Sequence, residues 1–462
     1  MIGIFAILLS LGGLIFFAYR GVSVILLAPI MASVAVLLAQ GGPVLATYTQ
    51  VFMESVGGYV VLFFPVFLLG ALFGRLMADS GASLSIASTL IERVGAQRAV
   101  LAVVLACGIL TYGGVSLFVV AFAIYPIAAA LFREADIPKR FIAAAIALGS
   151  FTFTMTALPG TPSIQNAIPT RFFGTTTFAA PGLGLIAAAI MIGGGLAWLS
   201  WRTRAASLAG EGYGQHEETF RTVAPDAAAP SFALALLPIV AVIGLNALFS
   251  LLVFPSLDLA YLAEEAYGAV APSTVIGTWS LIAALVGAIL IGFAVNWKSI
   301  DDPKDTINKG AMGSLLPIFN TASEVGYGAV IASLAAFEII RNAVLSIAPD
   351  QPAISLAVSV TTLAGITGSS SGGLSIALET LGATYLERAE ALGISPDLLH
   401  RVATIASGGL DTLPHSGAVI SLLTITALTH RQSYFDLAVV TLVVPLAATI
   451  TVVALGSTFG AF

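Results

Sequence analysis

Apolar runs of roughly 20 residues recur along this chain, and a run of that length crosses a bilayer as a helix. They lie near residues 2–19, 22–39, 58–77, 178–200, 231–254, 274–297, 310–332 and 437–459. In hydrocarbon a backbone must satisfy its own hydrogen bonds, so such a chain folds as a helical bundle. Two further apolar regions, 98–171 and 352–431, are longer and are broken by Gly, Ser, Thr and Pro clusters. Composition closes off the soluble alternative. Only 9% of the 462 residues are charged, against about 25% in a soluble domain. Cys107 stands alone, which excludes a disulfide framework and a cysteine metal cluster. The expected fold is all-α and polytopic, with about ten spans plus two re-entrant hairpins.

The cations set an expected topology. Arg20, Arg75, Arg93, Arg98, Arg133, Lys139, Arg140, Arg202, Arg204, Arg221, Lys298, Lys304, Lys309 and Arg431 can share one face, leaving Arg171, Arg341, Arg388 and Arg401 on the other. The positive-inside rule makes the richer face cytoplasmic. That places the protein in a bacterial inner membrane with both termini outside. It holds only if 98–132 and 352–388 each enter and leave on one side, as re-entrant hairpins with tips at 111–117 and 367–374. No Lys or Arg precedes the first apolar run and Arg20 follows it, so the run reads as a retained span rather than a signal peptide. Residues 201–230 form the longest polar stretch and read as a cytoplasmic linker between halves 1–200 and 231–462.

The halves repeat. "YGGVSLFVVAFAIYPIAAALFREADIP" (112–138) aligns with "SSGGLSIALETLGATYLERAEALGISP" (370–396), and "IALGSFTFTMTALPGTPS" (146–163) with "IASGGLDTLPHSGAVIS" (405–421). Gly70 pairs with Gly328, and the offset stays near 258 throughout. With the hairpins opening to opposite sides, the repeats are inverted, each comprising a hairpin (98–132; 352–388) and a broken span (140–171; 398–431). Inverted repeats with interrupted helices are a secondary-transporter design.

Four breaks carry the expected chemistry. The first hairpin tip offers Tyr112, Gly113, Gly114 and Ser116. The first broken span offers Gly160, Thr161, Ser163, Gln165 and Asn166. The second tip offers Ser369, Ser370, Ser371 and Gly372, and the second broken span His415 and Ser416. None of the four breaks carries Lys or Arg. An anion there must be held by helix N-termini and hydroxyls. Asp411 and His415 are four apart and share a face if the turn is helical, although Pro414 interrupts it. Ionisable groups inside a membrane mark ion pathways, so Asp411, His415 and Glu324 are the candidates for proton coupling. A sodium ion held by carbonyls at the breaks is the alternative. The alternative for these small polar residues is helix packing. There is no phosphate loop, HExxH or CxxC, which argues against ATP-driven pumping and metalloenzyme chemistry. No metal, cofactor or nucleic-acid partner is expected, and a membrane-embedded Ser–His–Asp enzyme is a remote reading.

With "GALFGRLMADSGAS" (70–83) and the Gly/Ser-rich second hairpin, the chain resembles the gluconate permease (GntP) family of the ion-transporter superfamily over almost its whole length. The resemblance implies proton-coupled uptake of small hydroxylated carboxylates, or of D-serine in one branch. The superfamily resemblance implies a homodimer whose transport domain moves as an elevator. The chain departs from the gluconate branch at informative places. An F-x-E acid is missing at Ser116–Val119, a P-P-H-P-G histidine is missing at Leu158–Pro162, and S-H-V-N-D-P becomes Leu413–Gly417. A site with fewer polar groups suits a less hydroxylated substrate. The leading expectation is a short hydroxy- or keto-acid with 3-hydroxybutyrate first, as in the 3-hydroxybutyrate permease branch. Gluconate, another sugar acid or D-serine comes second, and a passive facilitator is the competing function class.

Overall fold

A computed structural model describes residues 2–20, 22–216 and 230–462, and every regular element among them is helical. The first half runs α1 (Ile2–Tyr19), α2 (Val24–Ala39), α3 (Val44–Asp79), α4 (Ala82–Val94), α5 (Ala99–Tyr112), α6 (Leu117–Glu134), α7 (Ile142–Ser150), the one-turn α8 (Phe153–Thr156), α9 (Ile164–Phe173) and α10 (Pro181–Leu208). The second runs α11 (Phe232–Ser256), α12 (Ser273–Asn296), α13 (Pro303–Gly313), α14 (Leu315–Ser333), α15 (Phe337–Leu345), α16 (Pro352–Thr367), α17 (Ser370–Ala391), α18 (Pro396–Ser407), α19 (Gly417–Ile425) and α20 (His430–Phe459).

Six of these, α3, α6, α10, α11, α12 and α20, are long and apolar enough to cross a membrane. The α13–α14 segment passes the same test when taken with α15, to which it is bent by 97°. Helices α1, α2, α5 and α16 are apolar but shorter. Each expected run falls on helix, with shifted ends. The run at 58–77 lies inside the 36-residue α3, whose length of about 54 Å exceeds the bilayer core. Thr47, Gln50 and Glu54 dilute its hydropathy without interrupting its backbone ladder, which passes through a π-helical turn at Thr47–Phe52. Helix α10 likewise continues to Leu208, into the stretch expected to be linker; residues 217–229 of that stretch lie outside the described residues.

Local chemistry explains where helices start. The Ser369 side chain caps α17 by accepting the Gly372 N–H, and Asp302 and Ser395 cap α13 and α18 in the same way, each satisfying an otherwise orphaned donor. Thr429 and Gln432 form a capping box at α20. Around these, α2, α3 and α17 pack on α14, while α3 also meets α12 and α12 meets α11. Helices α5, α6 and α7 pack together, as do α16, α17 and α18, and α9 contacts both α17 and α18. The two interrupted regions therefore meet through α9 and α18.

Candidate functional site

The first hairpin turns between Tyr112 and Leu117. Gly114 sits at φ +93°, and a Cβ there would lie 2.8 Å from Pro162 Cγ. Only glycine allows both that backbone and that approach. The Tyr112 hydroxyl donates to the Pro159 carbonyl at 2.8 Å, so the tip is fastened to the first broken span. The break is longer than expected. It opens at Phe151–Thr152, allows one turn of α8, and runs to Ser163, so Gln165 and Asn166 stand on the first turn of α9. Gly160, at φ +78°, donates its N–H to the Thr177 carbonyl at 2.9 Å and accepts from Asn246 at 3.2 Å. The Ser163 hydroxyl is turned away, donating to the Met155 carbonyl.

The sequence reading missed what holds this loop. Arg401, counted there among the cations of the face opposite the cation-rich one, is 0% exposed inside α18. Its Nε and Nη2 donate to the Ala179 carbonyl at 2.9 and 2.7 Å, Nη2 also to Thr177 at 3.2 Å, and Nη1 to the Ala157 carbonyl and Asn166 Oδ1, both at 3.3 Å. The adjacent His400 links Asn166 Oδ1 at 3.1 Å to the Thr175 hydroxyl at 2.6 Å. Asn166 Nδ2 donates to the Thr161 and Thr177 carbonyls at 3.1 and 2.9 Å. Both donors and both acceptor positions of this amide are thus filled within the protein, so here Asn166 positions the loop and has nothing left to offer a ligand. The signal that could have found the cluster is a His–Arg pair inside the apolar run "LLHRVATIA" (398–406), where a charge calls for a buried partner.

The second hairpin turns at Gly368, φ +63°, where a Cβ would lie 2.9 Å from the His415 ring. That tip is thereby packed on the second broken span. The Ser370 hydroxyl is 2.8 Å from that of Ser407, and Ser371 is 3.4 Å from Thr321 of α14. Residues 408–416 are non-helical. The four-residue spacing of Asp411 and His415 therefore does not set them on one helical face, and no ion pair joins them among the described residues. Two adjacent glycines, Gly408 and Gly409, and then Pro414 unwind the segment. The His415 ring instead faces the carbonyls of Gly365 and Ile366. The two breaks adjoin: a Cβ on Gly408 would lie 3.2 Å from Thr156 Cγ2.

Unpaired buried polar atoms concentrate at these breaks. They include Thr161 Oγ1, Gln165 Oε1, Asp411 Oδ1, His415 Nε2, Ser416 Oγ and, beside the second tip, Glu324 Oε2. Buried polar groups are normally satisfied, so such a cluster points to a ligand or water. Hydroxyls, one amide and the first turns of α9, α17 and α19 offer donors suited to an anion. Ser116 differs from the others in being exposed at the start of α6. Among the described residues, no group of three His, Cys, Asp or Glu could hold a metal ion.

Comparison with known proteins agrees with a transport function. The family profile described as GntP family permease matches residues 2–310. The chain is 46% identical over 467 residues, 98% of each chain, to the "Uncharacterized transporter YxjC" of Bacillus subtilis (strain 168). It is 35% identical over 143 residues, 30% of each chain, to the "Gluconate permease" of Bacillus licheniformis. Its fold resembles that of the Alcanivorax borkumensis YdaH transporter, with a TM-score of 0.56 at 18% identity and 90% coverage of both chains. The chain is a transporter rather than an enzyme, a multi-pass membrane protein that belongs to the GntP permease family.

Proposed function

We propose that this protein is a secondary active transporter that carries a small hydroxy- or keto-monocarboxylate, with 3-hydroxybutyrate first, together with protons. The observation that supports this reading is that each hairpin tip packs on a broken span and the two broken spans touch, with unpaired polar atoms of Thr161, Gln165, His415 and Ser416 along those spans. The substrate carboxylate sits at the helix N-termini there, and its hydroxyl or keto oxygen meets Thr161, Gln165 or Ser416. The site is poor in groups that could read a polyol chain, because Asn166 and Arg401 are already occupied. Asp411, His415 and Glu324 are the coupling groups.

Alternating access uses the two hairpins as re-entrant elements of inverted repeats. The helix order supports this: α5, α6 and α7 are followed in the second half by α16, α17 and α18 in the same order, although their starts are offset by 253–254 residues, about five fewer than the 258 of the sequence alignment. A homodimer with an elevator-like moving body completes the reading. A second reading, uptake of gluconate or another sugar acid, is favoured by the partial likeness to a gluconate permease.

The test is uptake of labelled 3-hydroxybutyrate into proteoliposomes under an inward proton gradient, without sodium. Accumulation abolished by a protonophore and weakly competed by gluconate is expected. Full competition by gluconate would favour the sugar-acid reading, and a requirement for sodium would replace the proton.

A further inference from the structure

Glu324 lies at a junction between two groups of helices. Its helix, α14, packs on α2 and α3 on one side and on α17, the second arm of hairpin two, on the other. The carboxyl reaches the first turn of α17 so closely that a Cβ on Gly372 would run into Glu324 Oε2, and would lie 3.0 Å from Ser369 Oγ. Glu324 is 6% exposed and its Oε2 has no hydrogen-bond partner. No cation pairs with it among the described residues. The groups that face it are Ser369 from α17 and the titratable Tyr59 from α3, whose hydroxyl lies by Ser375. Helix α2 brings no titratable side chain, and Glu379 on α17 is two turns away and exposed. A buried carboxylate with an unmet oxygen and no counter-charge is very costly, whereas a neutral carboxylic acid in the same place costs far less.

We propose that Glu324 is a proton-operated seat for hairpin two: the Ser369–Gly372 tip docks on α14 only while the Glu324 carboxyl carries a proton. A proton from water joins the carboxylate as the tip seats and returns to water as it lifts. The proton is thereby a condition on hairpin movement, separate from the substrate contacts at His415 and Ser416. The proposal rests on the transporter reading with a moving hairpin, but its test uses no substrate and can fail while that reading stands.

The Thr321 and Ser371 hydroxyls, 3.4 Å apart, bridge α14 and the tip, so a Thr321→Cys/Ser371→Cys pair reports seating. The Ser370 and Ser407 hydroxyls, 2.8 Å apart, lie between hairpin two and α18, so a Ser370→Cys/Ser407→Cys pair controls for thiol chemistry. Both pairs are made in full-length protein carrying Cys107→Ala, in proteoliposomes, and oxidised in potassium buffers. The ratio of bridging to control cross-linking is expected to fall about tenfold or more between about pH 6 and about pH 9. With Glu324→Gln added, the ratio stays high and flat. A ratio that ignores pH with Glu324 intact overturns the proposal even if the Gln variant does not fold. So does a pH profile unchanged by Glu324→Gln, or a ratio set by sodium at fixed pH.

Discussion

Arg401 is where charge, burial and loop geometry meet. All of its guanidinium donors end on protein oxygens, and those oxygens belong to the irregular backbone at 157, 177 and 179 together with Asn166. Replacing it with leucine leaves the Ala157 and Ala179 carbonyls unmet, each costing about 1–3 kcal/mol, while Thr177 and Asn166 keep Gly160 and His400 as partners. Arg401→Leu is therefore expected to destabilise by about 3 kcal/mol or more, read as a lowered thermal unfolding midpoint in detergent. Arg401→Lys keeps the charge but not the fork geometry, and should fall between the two. An unchanged midpoint in the leucine variant would mean that the loop holds itself. That residue was hidden in the sequence because a lone arginine looks the same at the end of a loop as inside a helix. Counting it as a topology charge exported it to the surface.

The interrupted elements were legible because glycine and proline leave a mark that tertiary packing does not erase. Both hairpin tips turn at positive-φ glycines, Gly114 and Gly368, inside the stretches expected to turn. The lengths of the breaks were not legible. The first opens at Thr152, with no proline nearby, and the second runs through nine residues from Gly408 to Ser416. At the first opening the last carbonyls of α7 are met by side chains instead: the Thr152 hydroxyl donates to the Leu148 carbonyl at 2.7 Å and the Thr154 hydroxyl to the Gly149 carbonyl at 2.9 Å. The start of α7 is fixed differently, by charge. Asp436 of α20, buried, accepts from Arg140 at 2.9 Å, Arg202 at 2.8 Å and Trp198 at 3.1 Å. Arg140 also grips Glu211, just beyond α10, through bonds of 2.7 and 3.0 Å. That bidentate grip holds the Glu211 carboxyl below the usual range. A carboxyl held low in the fold adds stability above its ordinary pKa of about 4.3, and the gain is lost as pH falls through the lowered value. Glu211→Gln should thus lower the unfolding midpoint slightly at neutral pH, with the difference closing below about pH 4. Exposure of the pair keeps the effect small. A difference that persists in acid would assign it to packing.

The described helices divide into those that gather around α14, α12 and α3 and those that carry the breaks, and the elevator-like reading proposed above has one group move against the other. Hairpin one meets the first group at a defined point: a Cβ on Gly113 would lie 3.1 Å from Ile239 Cβ of α11. Gly113 has an ordinary φ of −71°, so a cysteine fits its backbone without strain. The separation is near the roughly 3.5–4.5 Å that a disulfide needs between Cβ atoms. A Gly113→Cys/Ile239→Cys pair in a Cys107→Ala chain should therefore cross-link on mild oxidation. If the hairpin travels past α11 during the cycle, the oxidised protein stops net uptake, and reduction restores it. Each single cysteine variant should transport alike in oxidised and reduced form, which separates the cross-link from the substitutions. Uptake that survives complete cross-linking would mean that α11 travels with hairpin one, and the moving boundary would then have to lie between α11 and the helices around α14.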